Sequence, residues 1–217
     1  TKQVNVAKFI MPEIREAIGH FTRATEIYPG HASSWRHLGM ISNHSRIGEH
    51  MAAKGDTAEY LRFKRTAISS FKHSLELEPG DGKSLFNLGY TYENVGEMDS
   101  AVFYYQECIT FNPQIVNPRS RLANLMFMAG NREGAIELNR QIMYIDPNEA
   151  LPYVNFGNYY MMAGDTVKAV ANFEEAAIRN ARPEVYAFLA QYYIDQGNNM
   201  KSREYSDRYN RAIQELQ

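Results

Sequence analysis

Residues 82–115 read GKSLFNLGYTYENVGEMDSAVFYYQECITFNPQI, and they contain the pattern on which the fold depends. Leu85, Leu88 and Tyr92 are three and four residues apart, so they lie on one face of a helix. A second apolar face follows Gly96, a residue type that can take the left-handed conformation in which many helices end. The segment therefore predicts two amphipathic helices joined at a glycine.

The same arrangement recurs along the chain with a period close to 34 residues. A small residue recurs in the second predicted helix of each unit, at Ala17, Ala67, Ala101, Ala135, Ala169 and Ser202. Turn glycines recur at Gly96, Gly130, Gly164 and Gly197. Prolines, which cannot donate to a helix interior, separate the units at Pro29, Pro79, Pro113 and Pro147. A fixed period of this length indicates stacked helix pairs that share a core with their neighbours.

The pattern resembles that of the tetratricopeptide repeat family, and the resemblance covers essentially the whole chain. The family signature of Trp, Leu-Gly, Ala, Phe and Pro is matched at Trp35, Leu38, Gly39, Ala67, Phe71 and Pro79. The resemblance implies an all-α fold, a right-handed superhelical α-solenoid of tandem helix-turn-helix repeats. Gly89 and Gly157 are then expected where two helices approach closely. Ser42, Arg119 and Asn139 depart from the signature, because each replaces a large apolar or aromatic residue.

The sequence predicts a single array of repeats. Its units are an incomplete first repeat at 1–31, a longer repeat at 32–81, regular repeats at 82–115, 116–149 and 150–182, and a C-terminal capping repeat at 183–217. The longer repeat has an insertion at about 46–61, interpreted as an extension of both its helices into a hairpin that turns at Gly55. Met51, Tyr60 and Phe63 would either hold the two helices together or form a partner-specific surface on that hairpin.

Composition excludes several classes of function. The 23 basic and 25 acidic residues give a formal net charge of −2, so no basic excess exists to neutralise a nucleic-acid backbone. The one cysteine, Cys108, and the six histidines show no metal-binding spacing, although four of the histidines lie between His31 and His50. No nucleophile elbow, phosphate loop or dinucleotide-binding motif is present in the sequence. The sequence therefore predicts a protein that is not an enzyme and that uses no cofactor or metal.

In the tetratricopeptide repeat family the inner surface is formed by the first helix of each repeat, and the resemblance implies partner binding at the same positions here. Those positions carry Arg36, Met40, Asn87, Tyr90, Arg121, Asn124, Asn155 and Asn158. Asparagine amides both donate and accept hydrogen bonds, which suits an extended peptide backbone. Some family members bind the C-terminal carboxylate of heat-shock chaperones with a set of Lys, Asn, Asn, Lys and Arg. That set is incomplete here, because Met40 and Asn117 replace two of its members.

We expect a noncatalytic scaffold that binds a segment of another protein in its concave groove. Two alternatives stay open: an accessory region of a larger protein, for example a membrane-bound glycosyltransferase, and a self-assembly module that forms a homo-oligomer. The absence of an initiator methionine favours the first alternative. No apolar run reaches the roughly 18 residues that a bilayer span needs, so this segment is not expected to insert into a membrane. The low cysteine content fits the cytoplasm, and the periplasmic part of a membrane protein is the alternative location.

Overall fold

The computed structural model describes residues 2–215, with side chains described from residue 11 onward. The described residues form twelve α-helices and contain no strand, as the sequence predicts. The helices are α1 (Lys2–Ile27), α2 (Ala32–Ser42), α3 (Ser45–Lys54), α4 (Thr57–Leu77), α5 (Gly82–Asn94), α6 (Met98–Phe111), α7 (Asn117–Met128), α8 (Arg132–Ile145), α9 (Leu151–Met162), α10 (Thr166–Ile178), α11 (Pro183–Asp195) and α12 (Asn199–Gln214). None of these described helices combines the length and the apolar character that a bilayer span requires.

The chain divides into two compact units, Thr1–Pro118 and Arg119–Gln217. The first unit holds α1 to α6, and the second holds nearly all of α7 together with α8 to α12. Helices pair side by side in both units, as α2 does with α4 and α5 with α6 in the first, and α9 with α10 and α11 with α12 in the second. Each unit is therefore built from helix pairs of the kind that the repeat pattern predicts.

The predicted glycine turns between paired helices are confirmed. Gly96 and Gly164 have φ angles of +84° and +78°, in the left-handed region that glycine adopts without a steric penalty. After Gly164, the carboxylate of Asp165 accepts a hydrogen bond from the backbone amide of Lys168 and so caps α10. A left-handed residue that ends one helix and a polar residue that begins the next thus form the turn within three residues.

The predicted close approach of paired helices is also confirmed. A Cβ atom on Gly89 would lie 2.8 Å from the ring of Tyr105, and one on Gly157 would lie 2.4 Å from the ring of Phe173. Both rings are buried. These distances are shorter than a carbon–carbon contact, so glycine at these positions allows the aromatic ring of the second helix to lie directly against the backbone of the first.

The insertion at about 46–61 forms a hairpin that turns at Gly55, where φ is +68°. The predicted extension of the first helix is wrong, because α2 ends at Ser42 and the first arm of the hairpin is the separate helix α3. His44 begins α3, since its ring atom Nδ1 accepts a hydrogen bond from the amide of Arg46. Only the second helix of this repeat, α4, is lengthened, to 21 residues.

Not all of the apolar residues predicted for the hairpin surface are exposed. Met51 of α3 exposes only 2% of its surface, because it packs against Met11 and Ile14 of α1. Tyr60 and Phe63 of α4 are half-buried against the same cluster. Of the two alternatives for Met51, the partner-specific surface is therefore wrong. With 26 residues, α1 is much longer than the 11-residue α2, and α3 covers part of the apolar side of α1.

A lysine is buried where this hairpin meets the repeat. Lys64 of α4 is 3% exposed, donates a hydrogen bond to Asn43 Oδ1, and has its ammonium 5.0 Å from the centroid of the Tyr60 ring. No carboxylate of the described residues lies within ion-pair distance of it. Burial lowers the pKa of Lys64 from 10.5 to about 8, because desolvation disfavours the charged ammonium.

We predict that Lys64 makes the free energy of unfolding depend on pH in the alkaline range. The unfolded chain binds the proton more tightly than the folded chain, so the contribution of Lys64 to the free energy of unfolding rises between pH 8 and pH 10.5. Lys64→Met removes the titrating group. The free energy of unfolding of Lys64→Met minus that of wild type should be about 1–3 kcal/mol larger at pH 7 than at pH 10.5.

Urea unfolding of both proteins at several pH values measures this difference. Lys54→Met, which removes an exposed lysine of α3, controls for the loss of one positive charge. A difference between Lys64→Met and wild type that stays constant from pH 7 to pH 10.5 would contradict the prediction.

Candidate partner-binding surface

Arg36 of α2 is bound within the protein. Its Nη1 atom donates to Asp81 Oδ2 at 3.1 Å and lies 3.6 Å from Glu78 Oε2, and its side chain is 17% exposed. Burial alone would raise the pKa of Asp81, but hydrogen bonds from Ser84 and Arg36 outweigh this effect and lower that pKa. Asp81 also accepts a hydrogen bond from the Ser84 amide and so caps α5. Arg36 therefore joins α2 to the start of α5, and a ligand carboxylate would have to displace Asp81.

The other predicted positions of the first unit are more accessible. Met40 of α2 is 42% exposed. Asn87 of α5 is half-buried, and its Nδ2 atom donates to the Lys83 carbonyl oxygen at 2.8 Å. Tyr90, one turn further along α5, stacks on Phe86 with ring centroids 6.5 Å apart. This part of the surface combines one amide with apolar and aromatic contact area.

In the second unit, Asn124 of α7 and Asn158 of α9 are exposed. The hydroxyl of Tyr159 donates to Asn124 Oδ1 at 3.2 Å, which holds the side-chain carbonyl and leaves the amide hydrogens to donate elsewhere. Arg121 lies one turn before Asn124 and is half-buried. The first helices of this unit thus carry an amide that is already oriented.

Asn155 does not lie on this surface. It is 3% exposed, and its Nδ2 atom donates to Asn139 Oδ1 at 2.8 Å and to Ser120 Oγ at 3.2 Å. Asn139 is fully buried and donates from its own amide to the Ala135 carbonyl oxygen at 2.9 Å and to the Tyr159 hydroxyl oxygen at 3.4 Å. The prediction that Asn155 binds a partner in the groove is therefore wrong, because its amide is used inside the core.

The buried pair explains why Asn139 replaces an aromatic residue. A buried amide is tolerated when its donors and acceptor have partners, and each asparagine contributes to satisfying the other. Burial also raises the pKa of Tyr159, more than its hydrogen bond with Asn139 lowers it, so the hydroxyl keeps its proton. Asn139 and Asn155 lie on different helices, 16 residues apart. The only signal in the sequence was a polar residue at a position expected to be apolar.

Comparison with known proteins identifies the repeats. Residues 82–115 match the family model described as "Tetratricopeptide repeat". The chain is 26% identical over 104 residues to the "Small glutamine-rich tetratricopeptide repeat-containing protein 2" of Mycosarcoma maydis, covering 48% of this chain and 30% of that protein. The family model and the curated relative both support a tetratricopeptide repeat family. The chain spans less than a third of the length of the curated relatives that it matches.

Solved structures show the same tetratricopeptide fold. The chain is similar to Cut9–Hcn1, an APC/C hetero-tetramer, with a TM-score of 0.63, 14% identity and coverage of 91% of this chain and 36% of that one. It is also similar to YrrB, "a TPR protein with an unusual peptide-binding site", with a TM-score of 0.54, 17% identity and coverage of 82% and 84%. At these identities the likeness concerns the fold alone. Tetratricopeptide repeats generally mediate contacts between proteins and are generally noncatalytic.

A cleft that the sequence did not predict lies in the second unit. It opens between α7, α8, α9 and α10 and has a volume of about 550 Å³. The residues that line it are mostly apolar or aromatic: Phe127, Arg132, Ile136, Arg140, Met143, Phe156, Tyr159, Tyr160, Ala163 and Asn172. Because the cleft depends on the spacing of packed helices, no motif in the sequence could indicate it.

Proposed function

We propose that this protein is a noncatalytic scaffold that binds a segment of a partner protein on the faces of its first helices. The observation that carries the proposal is the exposed amide of Asn124, which the Tyr159 hydroxyl holds in one orientation. An amide held in place loses less conformational freedom when it bonds to a ligand, so more of the hydrogen-bond energy contributes to affinity.

The chemistry of these faces suits the backbone of a peptide. Asn124 and Asn158 offer donors and acceptors in the second unit, and Asn87 offers an acceptor in the first. Met40 and Tyr90 add adaptable apolar contact. The peptide-binding site named for YrrB supports the same use of this fold.

A second role follows from the greater length of the relatives. The chain spans 30% and 15% of two curated relatives, so repeats of this kind also occur within larger proteins. We propose as the alternative that the chain acts as the interaction region of a larger protein. Self-assembly remains the third prediction.

Removal of the three accessible amides tests the leading proposal. Asn87→Ala, Asn124→Ala and Asn158→Ala together should weaken partner binding at least tenfold, because each lost hydrogen bond contributes roughly 1 kcal/mol and 1.4 kcal/mol corresponds to tenfold. The measurement is quantitative affinity capture by the wild-type and variant proteins, followed by titration of the partner that is recovered.

A second triple variant controls for amide loss as such. Gln106→Ala, Asn210→Ala and Gln214→Ala remove exposed amides from second helices and should leave partner binding unchanged. Circular dichroism checks that both triple variants remain folded. Equal partner affinity of the first triple variant and wild type, with the fold intact, would disprove binding through these asparagines.

A further inference from the structure

The cleft of the second unit has a different location from the first-helix surface. Half of its lining residues lie on second helices, including Ile136 and Met143 on α8, while Phe156 and Tyr160 of the first helix α9 form the facing side. Its volume of about 550 Å³ falls within the roughly 300–1,000 Å³ of ligand-binding clefts. The space is sufficient for one large side chain and the backbone next to it.

The aromatic side of the cleft is already in place without a ligand. Tyr159 stacks on Phe127 with ring centroids 3.8 Å apart and an interplanar angle of 5°, and Phe156 meets Tyr159 edge-on at 6.2 Å. The hydroxyl of Tyr159 is fixed by Asn124. A wall held by stacking and hydrogen bonding is not free to fold into the empty space, so an apolar side chain could enter without first ordering it.

The charged groups of the cleft are of one sign. Arg132 and Arg140 are exposed at its edge, and no carboxylate is among the described residues that line it. The guanidinium of Arg132 lies 5.9 Å from the centroid of the Phe127 ring. Arg140 forms no ion pair with another described residue. Two guanidinium groups beside an aromatic wall attract carboxylates without competition from an acid of the cleft itself.

The charges nearby do not cancel this attraction. Lys168 has its ammonium 5.4 Å from the centroid of the Tyr160 ring, but it is paired with Asp165 at 2.8 Å, so together they add no net charge. Glu137 of α8 accepts a hydrogen bond from Gln141 at 3.4 Å and is not among the residues that line the cleft. The cleft therefore combines net positive charge with an apolar interior.

We propose that this cleft binds an acidic segment of a partner protein that carries an aromatic or large aliphatic side chain. The apolar side chain enters between Ile136, Met143 and Phe156, and neighbouring carboxylates pair with Arg132 and Arg140. The burial of the side chain supplies most of the affinity, while the two charge pairs select acidic segments and fix their orientation. This site acts in addition to the first-helix surface and does not rest on it.

Selection from a random twelve-residue peptide library displayed on phage tests the proposal, with the whole chain as the immobilised target. Peptides that bind should share an aromatic or large aliphatic residue flanked by at least two acidic residues. For a synthetic peptide of that sequence, Arg132→Glu with Arg140→Glu should raise the dissociation constant at least tenfold in a fluorescence anisotropy titration. Arg203→Glu, a charge reversal at an exposed residue of α12 in the same unit, should change it by less than twofold.

The double variant Asn87→Ala with Asn158→Ala separates this site from the first-helix surface, because it leaves the Asn124–Tyr159 hydrogen bond of the cleft wall in place. If it leaves peptide affinity within twofold while the double arginine variant abolishes binding, the peptide occupies the cleft. The proposal is overturned if no acidic and apolar peptide family is selected. It is also overturned if the double arginine variant leaves the dissociation constant within twofold of wild type, or if only the asparagine variant weakens binding.

Discussion

Asn155→Asp is expected to lower the free energy of unfolding by about 3 kcal/mol or more at pH 7, because it places an unpaired charge in the core. The amide of Asn155 donates to Asn139 Oδ1 at 2.8 Å and to Ser120 Oγ at 3.2 Å. A carboxylate in its place sets oxygen against oxygen at Asn139. Reversing the amide of Asn139 would break the hydrogen bonds that it makes with the Ala135 carbonyl and the Tyr159 hydroxyl.

The effect of Asn155→Asp should depend on pH. Burial without a cation raises the pKa of the introduced carboxyl above its value in the unfolded chain. The folded protein then holds its proton more tightly, so the stability cost is smallest in acid and grows as the pH rises through the folded pKa. Urea unfolding at pH 4, 5 and 7 measures this trend against wild type at each pH.

Asn158→Asp is the matched control, since Asn158 is exposed on the same helix, one turn away. A surface substitution of this kind should change the free energy of unfolding by less than about 0.5 kcal/mol. Equal, small effects of the two substitutions would contradict the burial of Asn155 and return it to the accessible face on which the repeat pattern had placed it.

Gly89→Leu is expected to cost about 3 kcal/mol of stability. The first side-chain atom of any residue at this position would lie 2.8 Å from the ring of Tyr105 and 3.3 Å from the carbonyl oxygen of Ala101. Tyr105 is fully buried and donates a hydrogen bond to Glu93 at 2.7 Å, so its ring cannot move aside without loss of that contact. Overpacking of a filled core costs roughly 1–3 kcal/mol, and leucine introduces three further carbons.

Gly19→Leu tests whether this cost arises from the close approach or from leucine itself. Gly19 lies inside α1, in the same unit, and a Cβ atom there would meet nothing within 4 Å. Leucine favours helix by nearly 1 kcal/mol over glycine, so this variant should be as stable as wild type or more stable. The midpoints of urea unfolding, followed by circular dichroism, compare the two. A neutral result for Gly89→Leu would show that the helices of this repeat do not meet at Gly89.

The insertion shows which features the sequence could predict and which it could not. Gly55 and the helix-forming segments on both sides of it predicted a hairpin, which depends only on local conformation. Whether the first segment continued α2 or formed a new helix depended on Asn43 and His44. Asn43 accepts a hydrogen bond from the distant Lys64, and His44 caps α3. The first of these contacts joins residues 21 apart, so no local pattern could reveal it.

The candidate site likewise has features that the sequence predicted and features that it could not predict. The repeat period placed Asn87, Asn124 and Asn158 on accessible faces of first helices, since helical periodicity decides which side of a helix a residue occupies. It could not show that Arg36 is paired with Asp81, because that pair joins α2 to the residue that caps α5, 45 positions further along the chain. It also placed Asn155 outside the core, since a repeat pattern does not show that the amide of Asn139, on another helix, lies within hydrogen-bond distance.

The sequence by itself determined the tetratricopeptide helix pairs, the left-handed glycines between them and the close approach at Gly89 and Gly157. These features follow from backbone conformation and from a 34-residue period, which the regular repeats each express in their own residues. Only the tertiary structure decided that Asn155 is buried, that α3 covers α1 and that a cleft lined by Arg132 and Arg140 remains open. Each of these depends on distances between side chains from different helices, and such distances arise only when the helices pack.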